Sequence, residues 1–242
     1  MKSMQDYITA REAELTAHPA FERFDRDEAL ATILPFMSVA TFWVMGFQDA
    51  VRLTAEIIED PQLKVLAEQH RKEDAGHQVW FLQDLGTIDG AVPDVRTLFG
   101  RTHETTRDVT YALISEIYRA EEDIERIVLL LVMEAAFRAA LPHALSYVQR
   151  MGVDAEFRFI GAEHLEIEAN HAIIGDTIQE TLEAIVLDEA ARTRSIALVD
   201  RAFAQFLRLF EFFDAYLNKI SETTAERYAE REQIIRTQAT AG

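Results

Sequence analysis

The chain contains no cysteine, so disulfides, thiolate metal sites and cysteine nucleophiles are all excluded. Glycine and proline are scarce, nine and five among 242 residues, which favours long helices joined by few turns. No run of about 18 apolar residues occurs, so no membrane span is expected. The first residues, MKSMQDYITAREAEL, are charged and lack the apolar core of a secretory signal, which predicts a cytoplasmic protein. Basic residues are outnumbered, 24 Lys and Arg against 42 Asp and Glu, for a formal net charge of −18. Such a chain is repelled by nucleic acid and by anionic membrane surfaces, so neither is an expected partner.

What is present is a helical sequence with a large apolar fraction, 49% of residues, enough to build one sizeable core. Strand-like alternation persists nowhere. The pattern predicts a single all-α domain over residues 1–242, of about seven helices. A short amphipathic helix over 3–17 stops near His18-Pro19, and a helical stretch over 27–59 is broken by Pro35. Asp60-Pro61 ends that stretch and starts a helix to about Leu85. Residues 86–101 read as a loop with a short helical turn. A long helical pattern over 105–141, interrupted once, continues past Pro142 to about Arg150, where Gly152 breaks it. Asp154 is placed to cap a helix running to about Ile178, Leu182 to Ser221 forms another, and the polar tail from 222 a last one.

Within this frame one spacing is used twice. His70, Asp74 and His77 stand at i, i+4 and i+7, and so do His164, Glu168 and His171. On an α-helix each triplet covers an arc of about 60°, so its three side chains point the same way. With seven histidines in 242 residues, chance would place only ~0.03 such triplets in the chain. Two helices presenting these faces to each other would converge imidazoles and carboxylates on one point, as helical bundles do to hold pairs of iron or manganese ions.

Glu134 adds to this. It follows the apolar run 127–133 and precedes Ala135-Ala136-Phe137, so its carboxylate is expected in the core, where it needs a metal or a cationic partner such as Arg138. His70 is read as a ligand, a hydrogen-bond partner of a ligand, or an exposed residue beside Glu68 and Arg71; Glu73 is the alternative to Asp74. His18, His103 and His143 lack partners at such spacing and are taken as structural or surface residues. A ligand set of imidazole and carboxylate without thiolate suits Fe or Mn at adjacent sites. It has too many ligands for catalytic zinc and too many histidines for calcium, and a haem would need one proximal histidine.

Three segments resemble the heme-oxygenase-like diiron oxidases, relatives by fold of heme oxygenase and thiaminase II. They are HRKEDAGHQVWFLQDL (70–85), MEAAFRAALPHAL (133–145) and FIGAEHLEIEANHA (159–172). The resemblance spans about residues 20–215, and the third segment is its most specific part. It implies a heme-oxygenase-like helical bundle. Asp74, His77, Glu134, His164, Glu168 and His171 match the family's metal ligands, with His70 a further candidate. It also implies Fe(II), two ions per chain, with Mn as the alternative, and O2 as co-substrate. The implied activity is oxidation of a small amino-acid-like or fatty-acid-like molecule by N-oxygenation, oxidative C–C cleavage or desaturation. The chain departs from the family at the first core helix, where many relatives carry another glutamate. Here no acidic residue lies between Glu28 and Asp49, and the stretch reads PFMSVATFWVMGF (35–47), which leaves open whether one or two metals bind.

Phe36, Met37, Phe42 and Trp43 on that helix are expected either to line a substrate pocket or to be ordinary core. Arg138 or Arg158 is placed to meet a substrate carboxylate, and the aromatic segment Phe203–Tyr216 to serve core or a homodimer interface. Two readings of other classes stand beside the oxidase: a ferritin-like metal-binding bundle without organic chemistry, and a helical protein with a degenerate site.

Overall fold

The computed structural model describes residues 1–169, 185–220 and 222–241. Among the described residues there are eleven α-helices and no strand. The all-α expectation holds; the larger helix count comes from short pieces and from a break within one long stretch. The elements are α1 (Lys2–Thr16), α2 (Leu30–Ile33), α3 (Phe36–Ile57), α4 (Pro61–Glu73), α5 (His77–Asp89), α6 (Val95–Leu98), α7 (Glu104–Arg119), α8 (Asp123–Arg150), α9 (Ala162–Ala169), α10 (Glu189–Leu217) and α11 (Glu222–Ala241). Three 3₁₀ turns, at Pro19–Asp25, Arg101–His103 and Asp154–Glu156, join them.

Local chemistry sets most boundaries. Asp60 accepts hydrogen bonds from the N–H groups of Gln62 and Leu63 at 2.9 and 3.0 Å, and Pro61 occupies the first helical position of α4. Pro35 separates α2 from α3. Gly152, at φ +69°, ends the chain reversal after α8. Pro142 lies inside α8 on its exposed face, where water can satisfy the carbonyl that loses its N–H partner.

α8 is the axis of the molecule. Residues Ile127 to Ala136 are buried apart from a partly covered Leu131, and α1, α4, α7 and α10 pack around them. By length and composition α8 could cross a membrane, although Glu134 and Arg138 interrupt its apolar run; 67% of its most apolar window is buried inside the protein. Phe203, Phe206, Leu209 and Phe213 of α10 are buried against it, so the aromatic segment there serves the core. α3 packs across α4, α5 and α7, which brings the helix lacking an acidic ligand beside α4 and α8.

Three expected boundaries move. The helix expected over 61–85 breaks after Glu73, because Gly76 takes φ +106°, a left-handed conformation that side chains avoid. The helix expected from Asp154 starts only at Ala162; Asp154 begins a 3₁₀ turn instead, and residues 170–178 lie outside the described residues. The helix expected from Leu182 starts at Glu189, where the Asp188 side chain accepts from Ala191 N–H at 2.7 Å.

Candidate metal centre

The last turn of α4 and the middle of α8 meet in the core. His70, Asp74 and Glu134 are all buried there, and each offers a ligand atom within 4.8 Å of the others, a group that could hold a metal ion. His70 Nε2 lies 3.0 Å from Asp74 Oδ2 and 3.3 Å from Glu134 Oε1. Asp74 closes α4, its backbone N–H bonded to the His70 carbonyl at 3.0 Å. Its other oxygen, Oδ1, lies 3.1 Å from His77 Nδ1 at the start of α5. The break at Gly76 therefore does not separate the triplet: the His77 N–H bonds to the Asp74 carbonyl at 3.2 Å and the imidazole folds back to the carboxylate.

His164 arrives from the other side on α9. Its Nε2 is 3.1 Å from His77 Nδ1, and its Nδ1 is 2.7 Å from the Phe159 carbonyl. A carbonyl only accepts, so Nδ1 carries the proton and the Nε2 lone pair faces His77. The two oxygens of Asp74 thus divide the cluster into halves, one with His70 and Glu134, the other with His77 and His164. Of the remaining matched residues, the Glu168 side chain and all of His171 lie outside the described residues.

Several alternatives are resolved by geometry. Arg138 is not the partner of Glu134; it grips Glu12 with bonds of 3.1 and 2.8 Å. Arg158 pairs with Glu163 and lies 4.3 Å over the Trp80 ring, so neither arginine is free to meet a substrate. Glu73 accepts from Gln69 Nε2 at 2.6 Å, and among the described residues the group that could hold an ion contains Asp74. His18 caps the turn after α1 and His143 stacks on Phe21 at 4.7 Å. His103 is buried where desolvation, with Arg107 nearby, pushes its pKa down.

An apolar cavity of about 140 Å³ opens beside the cluster. Asp74, His77, Glu134 and His164 contribute to its wall, and Phe36, Met37, Trp43, Phe47, Phe81, Phe137, Phe206 and Phe213 form much of the rest. Phe42 does not line it; it turns outward against Phe99 and Tyr111. Arg23 also lines the cavity, its guanidinium committed to Asp214, Asn218 and Glu28.

No protein-family model and no curated protein matches the chain.

Two residues escape sequence reading. Gln48 stands one position beyond the stretch searched for an acidic ligand; it lines the cavity and donates from Nε2 to the Asp74 carbonyl at 3.3 Å. The α3 helix thus reaches the cluster with an amide, while Asp49 is exposed and paired to Arg52. The second is Asp84, 2% exposed on α5, which accepts hydrogen bonds from the backbone N–H groups of Arg158, Phe159 and Ile160 at 2.8, 2.8 and 3.1 Å. Its place seven residues after His77, on the same helix face, is the only signal the sequence carries.

Burial pushes the Asp84 carboxyl up to about 6, against the three N–H bonds that favour the anion. Raising a carboxyl from 3.8 to about 6 corresponds to about 3 kcal/mol. The folded state then holds this proton more tightly than the unfolded chain, so stability falls as pH rises through that window. Relative to Asp84→Asn, the wild type is expected to lose about 3 kcal/mol of unfolding free energy between roughly pH 4 and pH 7. Urea denaturation of both proteins across that range checks this; a constant difference between them contradicts it.

Proposed function

We propose that the protein is a cytoplasmic non-heme diiron oxidase that uses O2 to oxidise a small organic substrate held in the apolar cavity. The observation that carries this reading is the convergence of His70, Asp74, Glu134, His77 and His164 from four separate helices beside that cavity. Buried carboxylates and imidazoles at such density are costly in a core unless a cation repays their desolvation. The donor set, nitrogen and carboxylate oxygen without sulfur, suits iron or manganese. The likeness of three segments to the heme-oxygenase-like diiron oxidases points the same way.

His70 and Glu134 would hold one ion and His77 and His164 the other, with Asp74 offering an oxygen to each half. Iron, when bound, supplies the redox chemistry with O2 that none of these side chains can perform. The chain's own residues do the rest. The Phe159 carbonyl holds the proton on His164 Nδ1 and so keeps Nε2 available as a donor. The aromatic walls place the substrate and exclude water, which strengthens the electrostatics of the cluster.

The cavity also bears on the substrate. Among the described residues its walls are mostly apolar, and the charged groups outside the cluster, Arg23 and Asp214, pair with each other. A fatty-acid-like molecule with an apolar body therefore fits better than a zwitterionic amino acid. A storage bundle would need a polar path for iron, and the apolar walls speak against it. Oxygen uptake by iron-loaded protein with medium-chain fatty acids, compared with amino acids of similar size, tests the reading. Substrate-dependent uptake with the former is expected; iron oxidation unaffected by any organic molecule would favour the storage bundle.

A further inference from the structure

Among the described residues, Asp84 is the one deeply buried carboxylate near the centre that the proposed chemistry leaves unused. All three of its strong contacts go to a single segment, the backbone of residues 158–160 between the Asp154–Glu156 turn and α9. That segment touches His164 directly and reaches His77 through Trp80. The Phe159 carbonyl accepts from His164 Nδ1, and the Phe159 ring packs 4.7 Å from the His164 ring. The Arg158 guanidinium sits over Trp80, whose indole stacks on His77 at 4.8 Å and meets His164 edge-on at 5.6 Å. The segment is tightly built on its other side too: a Cβ at Gly161 would fall 2.1 Å from the Phe157 carbonyl oxygen. His70 and Glu134, on α4 and α8, share none of these contacts.

We infer that Asp84 is a positioning residue that pins the 158–160 backbone to α5 and thereby fixes the tautomer and aim of His164 and the ring of His77. A carboxylate can accept all three N–H bonds, which no neutral side chain of that size can do. Removing it frees the segment, and with it the carbonyl that holds the His164 proton on Nδ1. The half of the cluster built on His77 and His164 should loosen while the half built on His70 and Glu134 stays intact. This last clause rests on the two-metal reading; the tautomer of His164 does not.

The experiment has two arms. In the metal-free protein, ¹⁵N-labelled imidazole spectra at pH 8 report each histidine tautomer, with the His164 signals assigned from their loss in His164→Gln. Wild type is expected to hold His164 as the Nδ1–H form, Asp84→Ala to shift it largely to Nε2–H, and Asp84→Asn, which keeps one acceptor oxygen, to fall between. An unchanged His164 tautomer in Asp84→Ala overturns the inference. Should Asp84→Ala fail to fold by circular dichroism, Asp84→Asn against wild type decides the same point.

The second arm is Co(II) titration. Wild type is expected to bind two ions, and Asp84→Ala to bind the first with unchanged affinity and the second about 10–100-fold more weakly. Equal weakening of both ions, or of neither, contradicts a positioning role confined to one half. A wild type that binds no Co(II) defeats the metal reading and leaves the tautomer arm to decide on Asp84.

Discussion

Glu134→Leu is expected to abolish tight metal binding while leaving the metal-free protein folded. Glu134 is 2% exposed, and its near neighbour is an imidazole, His70 at 3.3 Å, rather than an arginine. Around it α8 is apolar on nearly every side. A buried ionisable group in such surroundings is held at a desolvation cost that a leucine would not incur. A bound metal reverses that balance. At a hundredfold excess over its dissociation constant, a ligand stabilises the fold by about 2.7 kcal/mol, roughly 5–11 °C in Tm for a chain of this size. Thermal denaturation with Fe(II) and with chelator, anaerobically, should show that gain in the wild type and none in the variant. Equal gains in both would remove Glu134 from the centre.

The second large effect is expected at Ala140. It lines the cavity on the α8 stripe that leads away from Glu134 past Phe137. A phenylalanine there would project into a space of about 140 Å³. Ala140→Phe is therefore expected to retain metal stoichiometry and to lose substrate-dependent O2 uptake by at least about a hundredfold, since the substrate's apolar body is what the cavity binds. Filling a void should not destabilise the protein by more than about 1–3 kcal/mol of overpacking. Loss of metal along with activity would mean that the cavity and the centre are not separable in this way.

The contrast between these two variants reflects what the sequence could and could not announce. The proximity of His70, Asp74 and His77 and the burial of Glu134 were legible because helical periodicity is local: residues at i, i+4 and i+7 share a face, and a lone glutamate in a long apolar run must be buried. Even the break at Gly76 did not spoil this, because the Asp74 carbonyl captures the His77 N–H and keeps the imidazole at the carboxylate. Helix ends at Asp60-Pro61, Pro35 and Gly152 were legible for the same reason, being fixed by one or two residues each.

What stayed hidden depends on contacts far apart in sequence. Asp84 reads as an ordinary polar residue of an amphipathic helix until the 158–160 backbone, more than 70 positions later, closes on it. Gln48 was passed over because the expectation was for an acid, while the structure brings an amide to that wall. Phe42 and Trp43 are neighbours in sequence and equally aromatic, yet only Trp43 faces the cavity, because the rotation of α3 is set by packing on α7 and α10. The start of α9 shifted from Asp154 to Ala162 for a similar reason. The intervening residues are held by the Asp84 carboxylate in an irregular segment that no local propensity specifies.

The most direct measurement is anaerobic titration of the metal-free protein with Fe(II), read as iron bound per chain and followed by exposure to O2 with stopped-flow absorbance. Two irons per chain, and a rapid absorbance change on mixing with O2 that is lost in Glu134→Leu, are the expected result. No iron, with no such change, would contradict a metal centre and return the buried cluster to a structural role, and a single iron would contradict the two-metal oxidase.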